Sequence, residues 1–503
     1  MRILNSQSRQ KEEFTPLRGK QVHMYHCGPT VYDSLHIGHV RAALTPDIVR
    51  RYLEYKGYHV RYVTNFTDVD DKIIRRAIDE SRDCRELTTY YIEEAHQLLM
   101  SFNIRPADVH PRATDHITEM IEIVERLLKN GNAYVAKDGD VYFDTASFVR
   151  YGALSGRKLE EEEAGRSDRI DEARLAVKKN QGDFVLWKLI KNDKPEIARG
   201  GDLVPRWRSP WGDGRPGWHL ECSAMSHKYL GVPFDIHTGG HDLLFPHHED
   251  EKAQTECAFH ETLGDANSVR YWVHNEFVNM KARPEDANVR ADLKDAAGGV
   301  KMSKSLGNVK WARDMIWPHG PYDPMAVRMM LLSSHYRSPI LFEPALLDES
   351  TARLERIYNT LESIERAKEA ANGSGSLDTA AALKNFESAM DDDFNTASAL
   401  GAVFDLCSSV NQGVAAKSLS AQALSDAAST MKTMLHVLGI RAFRAKSGGA
   451  GDAAKLIDLL MATRLDARAA KQYTLGDKIR DGLKGLGYEV EDLPGGKWAV
   501  KKK

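Results

Sequence analysis

The fifteen residues 26–40, HCGPTVYDSLHIGHV, hold one cysteine, two glycines and three histidines. A thiolate can ligate a soft metal ion, and imidazole N–H groups can stabilise charge developing on a phosphate. Glycine leaves room for a ribose or purine against the backbone. His36 and His39 stand on either side of Gly38 in HIGH. Roughly 260 residues downstream, KMSKSLGN (301–308) offers Lys301 and Lys304 as a second set of charges. Two histidines on one turn and two lysines in a distant loop suit a reaction in which ATP loses pyrophosphate.

Such groups need elements to position them. VHMYHCG (22–28) alternates apolar and polar residues like a strand, and from His39 the apolar positions Val40, Ala43, Leu44, Ile48, Tyr52 and Tyr55 follow helical spacing. KGYHVRYVTNFTD returns to strand character, so the order is strand, loop, helix, strand. That is the opening of a nucleotide-binding parallel sheet, in which ligands sit at the strand's carboxyl end beside the helix N-terminus. Pro46 falls inside the predicted helix and is expected to kink it. Thr67 and Asp70 have the spacing of a helix-capping box.

Residues 116–215 read as an α+β insertion: amphipathic ITEMIEIVERLLKNG, a hairpin-like AYVAKDGDVYFD, an acidic run, and a stretch rich in Pro, Gly and Trp. The sheet then resumes in VPFDIHTGG, and Pro246 takes the first position of a following helix. From about 345 to 440 the pattern is helical, AKSGGAGD (445–452) has linker composition, and the last fifty residues form a small separate module.

Composition agrees with a multidomain globular protein: 503 residues, 42% hydrophobic and 28% charged. No run approaches the roughly 18 uncharged apolar residues of a membrane span, and MRILNSQSRQKEEF has no signal-peptide core, so a cytoplasmic location is expected. The five cysteines are scattered without a C-x-x-C pair, which argues against a disulfide framework. Net charge is −3, but residues 453–503 hold eleven Lys/Arg against seven Asp/Glu, which makes this tail +4. Within it Arg464, Arg468 and Lys471 form a basic stripe at helical spacing.

HIGH after the first strand and KMSKS late in the chain resemble the two signatures of class I aminoacyl-tRNA synthetases. CGPTVYD, TDVDDKI, PGWHLECSAM, FPHHEDE, KMSKSLGN, MDDDFNTASAL and KIRDGLKGLGYEVED, in that order, resemble the cysteinyl branch of that family. The resemblance implies a zinc ion on Cys27, Cys222, His247 and Glu251. His247 and Glu251 are i,i+4 on one helix face, and each cysteine ends or follows a strand-like segment. Spacing alone leaves His247 and His248 open; His248 would pair with Lys252, which cannot serve beside zinc, so His247 is preferred.

Zinc would read the substrate side chain, because a soft metal separates thiolate from the nearly isosteric serine hydroxyl where a plain pocket separates them poorly. The resemblance further places Thr67, Trp218 and His237 in the amino-acid pocket, and Gly240 and Asp242 in a turn near the adenosine. This turn carries His241 where GGGSD is the commoner form, and the loop 283–299 is longer than the family leads one to expect.

Pattern and resemblance together predict an α/β fold. A Rossmann-like parallel-sheet catalytic domain (1–115 and 216–275) is interrupted by the α+β insertion (116–215) and followed by a KMSKS-containing stem-contact region (276–344). A helical bundle (345–444) and a small C-terminal α+β module that reads the anticodon (453–503) complete it. The implied activity is ATP-dependent formation of cysteinyl-adenylate, with Mg²⁺ accompanying ATP, and transfer to the 2′-hydroxyl of the terminal adenosine of tRNA(Cys). A monomer is expected. His36, His39, Lys301 and Lys304 act on the phosphates, with Gly38, Gly240 and Asp242 holding the nucleotide. The alternatives are a cysteine ligase of low-molecular-weight thiol synthesis, against which the basic tail argues, and a non-catalytic RNA-binding paralogue, against which intact HIGH and KMSKS argue.

Overall fold

A computed structural model describes residues 1–157, 176–282, 299–302, 307–444, 450–470, 472–485, 488–493 and 497–502. Lys304, Lys471, the loop 283–298 and most of the expected linker lie outside the described residues. The chain divides into two units, one of residues 1–313 and 324–443, the other of 314–323 and 444–503.

The first unit is organised around a four-stranded parallel sheet in the order Val269–Asn275, Phe234–Gly240, Gln21–His26, His59–Thr64. Val22, Met24, Tyr25, Val63, Phe234, Ile236 and Trp272 are buried, as expected where both faces of a parallel sheet are covered. The chain leaves Gln21–His26 for one edge strand and later returns on its other side with Phe234–Gly240. The order therefore reverses between these two neighbours, and the crevice at their carboxyl ends is the ligand position of an open α/β sheet.

The helix Ile37–Tyr55 follows the first strand and continues across Pro46. The next helix, Asp71–Asp79, is capped by Asp70, whose carboxylate accepts from the Lys72 N–H. Thr67 is therefore not its cap: its backbone instead pairs with the Pro29–Val31 segment, through Thr67 N–H to the Pro29 carbonyl and Val31 N–H to its own.

In the inserted segment, Met120, Ile123, Val124 and Leu127 bury one stripe of the helix Ile117–Lys129. Four antiparallel strands follow as a meander: Ala133–Val135, Val141–Phe143, Phe184–Leu189 and Gly214–Pro216. Beyond the parallel sheet, Val278–Lys281 pairs antiparallel with Gly299–Lys301 and parallel with Ile340–Phe342, which puts Lys301 opposite Asn279.

Four long helices then follow, Pro344–Lys368, Thr379–Asp391, Thr396–Ala415 and Ala421–Val437. They are tied back to the sheet domain through Asp393. Its carboxylate accepts from Leu4 N–H (2.9 Å), the Tyr336 hydroxyl (2.7 Å) and Arg337 Nε (2.6 Å). Asp393 and Phe394 both have positive φ (63° and 54°), a strained conformation that these three bonds hold in place.

The second unit contains the helices Ala450–Ala469 and Tyr473–Gly485 and the antiparallel hairpin Tyr488–Leu493/Lys497–Lys502. Arg464 is buried and Arg468 exposed, so the basic stripe is not one uniformly solvated face. Among the described residues no helix is long and apolar enough to cross a membrane.

Candidate active site and metal centre

His36 is the N-cap of the helix Ile37–Tyr55. Its Nδ1 accepts from the Gly38 N–H (3.1 Å), while His39 Nδ1 accepts from the His36 N–H (3.2 Å). The two rings stack with centroids 3.7 Å apart. Since each neutral ring uses Nδ1 as an acceptor, each carries its proton on Nε2 as a donor. Capping and chemistry are thus compatible, because the cap fixes the tautomer that an anion at the helix N-terminus requires. A Cβ on Gly38 would lie 2.9 Å from the His36 ring, so glycine is needed for the cap itself.

These rings line a cleft of about 550 Å³, within the range of ligand sites, together with Cys27, Gly28, Trp218, Gly240, Asp242, Lys301 and Met302. Lys301 Nζ is 4.2 Å from the Phe277 ring centroid and 3.9 Å from Asp242 Oδ2. His241, the residue that departs from the commoner form, turns to Glu276 (Nδ1 to Oε1 3.2 Å).

Gly28 presses against the neighbouring strand end: a Cβ there would fall 1.7 Å from the Asn65 carbonyl oxygen. Asn65 escaped the sequence reading. Its side chain accepts from Gly28 N–H (2.9 Å), approaches Cys222 Sγ (3.8 Å) and donates to Thr67 Oγ1 (3.4 Å). A lone asparagine in YVTNFTD gives no signal of this.

Beneath the cleft, Cys27, Cys222, His247 and Glu251 converge. Cys27 Sγ is 3.5 Å from Cys222 Sγ and 3.2 Å from Glu251 Oε1, and His247 Nε2 is 2.9 Å from Glu251 Oε1. Ligand bonds of about 2.0–2.3 Å set tetrahedral edges at roughly 3.3–3.8 Å, close to these spacings. All four are buried, and two thiols, an imidazole and a carboxylate so placed could hold a divalent cation. A second set, Cys27, His237, His248 and Glu251, shares two of its members with the first, and the ligand atoms of each set lie within 4.8 Å of one another.

The two sets differ in basicity. Burial disfavours a charged His247, but Glu251 and Cys222 more than offset it and raise the ring to about 10. Burial pushes His237 down to about 4. Cys222 is held below the ordinary thiol value, because hydrogen bonding with Cys27 and the nearby His247 outweigh burial. Glu251, also opposed by burial, is lowered by His237 and His247.

Cys222 sits within the helix Trp218–Leu230, which corrects the expectation that it would end or follow a strand. The chain before Glu249 is also not a helix starting at Pro246. Residues Leu244–His248 form one wide turn with Phe245 extended, and the regular helix is Glu249–Ala258. His247 is oriented from behind: its Nδ1 lies 2.8 Å from His219 Nδ1, and His219 Nε2 lies 3.2 Å from Asp250 Oδ2. His219, one turn before Cys222 on the same helix, could have been found by that i,i+3 spacing.

Trp218 stacks on His247 at 4.2 Å and is 38% exposed, so its indole lies between the cluster and the cleft. Thr67 and His237 lie one layer deeper, 2% and 1% exposed, and His237 Nε2 is 3.3 Å from Cys27 Sγ. The structure thus gathers Cys27, His36, Gly38, His39, Trp218, Gly240, Asp242 and Lys301 on one cleft. Cys222, His247, Glu251, Thr67 and His237 stand behind it.

Sheet order, histidine-capped helix and facing lysine together define a class I tRNA synthetase. The family model described as "tRNA synthetases class I (C) catalytic domain" matches residues 13–352, and a DALR domain model matches 385–443. The fold is shared with methionyl-tRNA synthetase of Mycobacterium tuberculosis in complex with methionyl-adenylate (TM-score 0.55, 14% identity, 87% of this chain and 94% of that one). It is shared also with the LeuRS–tRNA–LeuAMS ternary complex of Agrobacterium radiobacter K84 (TM-score 0.59, 12% identity, 86% of each). In sequence, the chain is 43% identical over 507 residues to the cysteine–tRNA ligase of Thermococcus onnurineus (99% of this chain, 98% of that one). It is 43% identical over 516 residues to that of Desulfitobacterium hafniense (100% of each). The chain belongs to the cysteine–tRNA ligase family.

Proposed function

We propose that the protein activates L-cysteine with ATP and passes the cysteinyl group to the 2′-hydroxyl of the terminal adenosine of tRNA(Cys). The observation that carries this reading is the opening of a thiol-containing donor cluster, through Cys27 and Trp218, onto the same cleft as the stacked His36–His39 pair.

In the first step a carboxylate oxygen of cysteine bonds to the α-phosphorus of ATP while the bond to pyrophosphate breaks. Charge builds on the phosphate oxygens, where the Nε2–H groups of His36 and His39, the helix N-terminus, Lys301 and Lys304 stabilise it. Mg²⁺ accompanies the nucleotide. Gly38 and Gly240 admit the adenosine against the backbone, and the Asp242 carboxylate accepts from its ribose hydroxyls. In the second step the 2′-hydroxyl oxygen bonds to the acyl carbon and AMP departs, its phosphate taking the proton. Both attacking atoms belong to substrates, so no side-chain nucleophile is required.

Cys27, Cys222, His247 and Glu251 would hold Zn²⁺, which when bound supplies a Lewis acid that prefers thiolate to hydroxyl. Trp218 closes the amino-acid end of the cleft, while Thr67 and His237 set its floor from behind. The carboxyl-terminal module reads the anticodon, and the protein acts as a cytoplasmic monomer.

Cysteine-dependent ATP–pyrophosphate exchange, run with and without tRNA and with equimolar serine as control, tests the reading. Exchange with cysteine alone is expected, and Cys27→Ser should impair it. Absence of exchange with cysteine under both conditions would refute it.

A further inference from the structure

The turn entering the histidine-capped helix and the segment leaving the Lys301 loop are bound to each other. Ile37 N–H donates to the Lys310 carbonyl and Ala312 N–H to the Leu35 carbonyl, both at 3.0 Å, with His36 bridged antiparallel to Trp311. At the base of the loop, Asn308 Nδ2 donates to the Lys301 carbonyl at 3.2 Å. One continuous path of short contacts therefore joins the His36 cap to Lys301.

Glu94 belongs to neither segment; it projects from the helix Cys84–Ser101. Its carboxylate accepts from Ser34 Oγ at 2.9 and 3.0 Å and pairs with Arg313 Nη1 at 3.3 Å. In the antiparallel register Leu35 faces Ala312, so Ser34 and Arg313 are the two residues just outside the paired stretch. Two backbone bonds leave a short ladder free to pivot, whereas a carboxylate that ties its two strands together at one end, just beyond the last bonded pair, restrains that motion. The Glu94 side chain is 15% exposed, which partly shields its bonds with Ser34, whereas Arg313 is 45% exposed and contributes a more solvated pair.

We propose that Glu94 is a positioning residue for adenylate formation, clamping Ser34 to Arg313 so that His36 and Lys301 meet the departing phosphates in register. This rests on the adenylation reading above. Its effect falls on the phosphate end of the cleft, because Ser34 and Arg313 flank the paired segments that carry the His36 cap. Misplacing preorganised charges slows the chemical step far more than it weakens binding of the amino acid.

The experiment is steady-state pyrophosphate exchange on wild type, Glu94→Ala, Glu94→Gln, Ser34→Ala and the Ser34→Ala/Glu94→Ala double variant. Glu93→Ala, an exposed neighbour on the same helix, controls for simple loss of charge. Thermal midpoints are measured alongside. The expected result is a five- to thirtyfold lower kcat in Glu94→Ala with KM for cysteine unchanged, and a smaller loss in Glu94→Gln, which can still accept from Ser34. The double variant should be no slower than Glu94→Ala, and Glu93→Ala should match wild type. A Glu94→Ala kcat within twofold of wild type, a parallel rise in KM for cysteine, or multiplicative losses in the double variant would overturn the proposal. Failure of wild type itself to exchange would instead overturn the adenylation reading.

Discussion

Asp47 lies on the helix that presents His36 and His39, two turns further along and fully buried. Its Oδ2 accepts from Arg51 Nε at 2.9 Å and from Arg328 Nη2 at 2.6 Å, and its Oδ1 accepts from the Arg105 N–H at 3.1 Å. Arg328 also donates to the carbonyls of Leu438 (2.8 Å) and Phe102 (2.9 Å), so one carboxylate links the catalytic helix to the end of the helical bundle. Asp47→Asn keeps the shape but leaves the Arg328 guanidinium, 0% exposed, without a counter-charge. Breaking a buried pair from one side costs about 3–5 kcal/mol. At about 2 °C per kcal/mol for a large unit, the thermal midpoint should fall by about 6–10 °C.

Arg328→Met added to Asp47→Asn should recover part of the loss, because the orphaned charge is then gone. The pH dependence follows from the same geometry. Burial alone would raise the Asp47 carboxyl, but Arg328 and Arg51 hold it below its ordinary value. The contribution is therefore complete above the unfolded-chain value of roughly 3.9 and is lost as pH falls through the folded one. Wild-type and Asp47→Asn midpoints should converge on acidification. Calorimetry at pH 7 and from about pH 4 downwards would check this. A midpoint within 2 °C of wild type at pH 7, or a double variant worse than the sum of its singles, would refute the reasoning.

Cys222→Ser and His247→Ala should each lower bound zinc from about one ion per chain towards zero after dialysis, whereas His248→Ala should retain it; elemental analysis of the purified proteins distinguishes the two overlapping donor sets. His39→Ala and Lys304→Ala should each slow adenylate formation by about 10²–10³ while sparing zinc content, the cost of losing one preorganised donor. Unchanged pyrophosphate exchange in both would remove these residues from the mechanism. Gly28→Ala drives a methyl into the Asn65 carbonyl and should destabilise by about 3 kcal/mol, the upper end for overpacking; thermal melts near the wild-type midpoint would contradict the packing.

Local chemistry was legible wherever it follows from spacing along one element. The strand-helix-strand opening, the amphipathic helix after His116 and the hairpin Ala133–Phe143 all came from periodicity, because side-chain period reports which face is buried. HIGH could be read both as a cap and as a phosphate site; the structure shows the cap, in a geometry compatible with the proposed phosphate role. What spacing could not give was contact across the chain. Cys222 is expected from the sequence to end or follow a strand-like segment, yet it lies inside a helix that packs against the sheet. Thr67 had the spacing of a cap, but Asp70, a better acceptor one residue before the helix, took that role. Asn65 was invisible because a side-chain amide acquires meaning only from what lies opposite, here Gly28 and Cys222.

The separation between reading and geometry has a physical origin in the sheet order. Cys27 and Cys222 stand 195 residues apart in sequence and 3.5 Å apart in space, because the chain leaves the strand before Cys27 for the edge strand and the insertion, then returns on that first strand's other side through the helix that carries Cys222. Loop-closure cost grows only with the logarithm of length, so an insertion of this size adds little to the entropy of bringing the two thiols together. The expensive part is the local ordering of each side chain, and the structure meets it with rigid supports. Cys222 is held in a helix beside Asn65, Cys27 at a strand end by its N–H to the Thr238 carbonyl, and His247 by His219 and Asp250. The phosphate end is built on the same plan, with His36 and His39 fixed by their own cap and Lys301 by a strand. On the proposed reading, selection of the amino acid and activation of its carboxyl therefore rest on separate supports that meet in the cleft. A substitution at either end should then alter its own step without loosening the other.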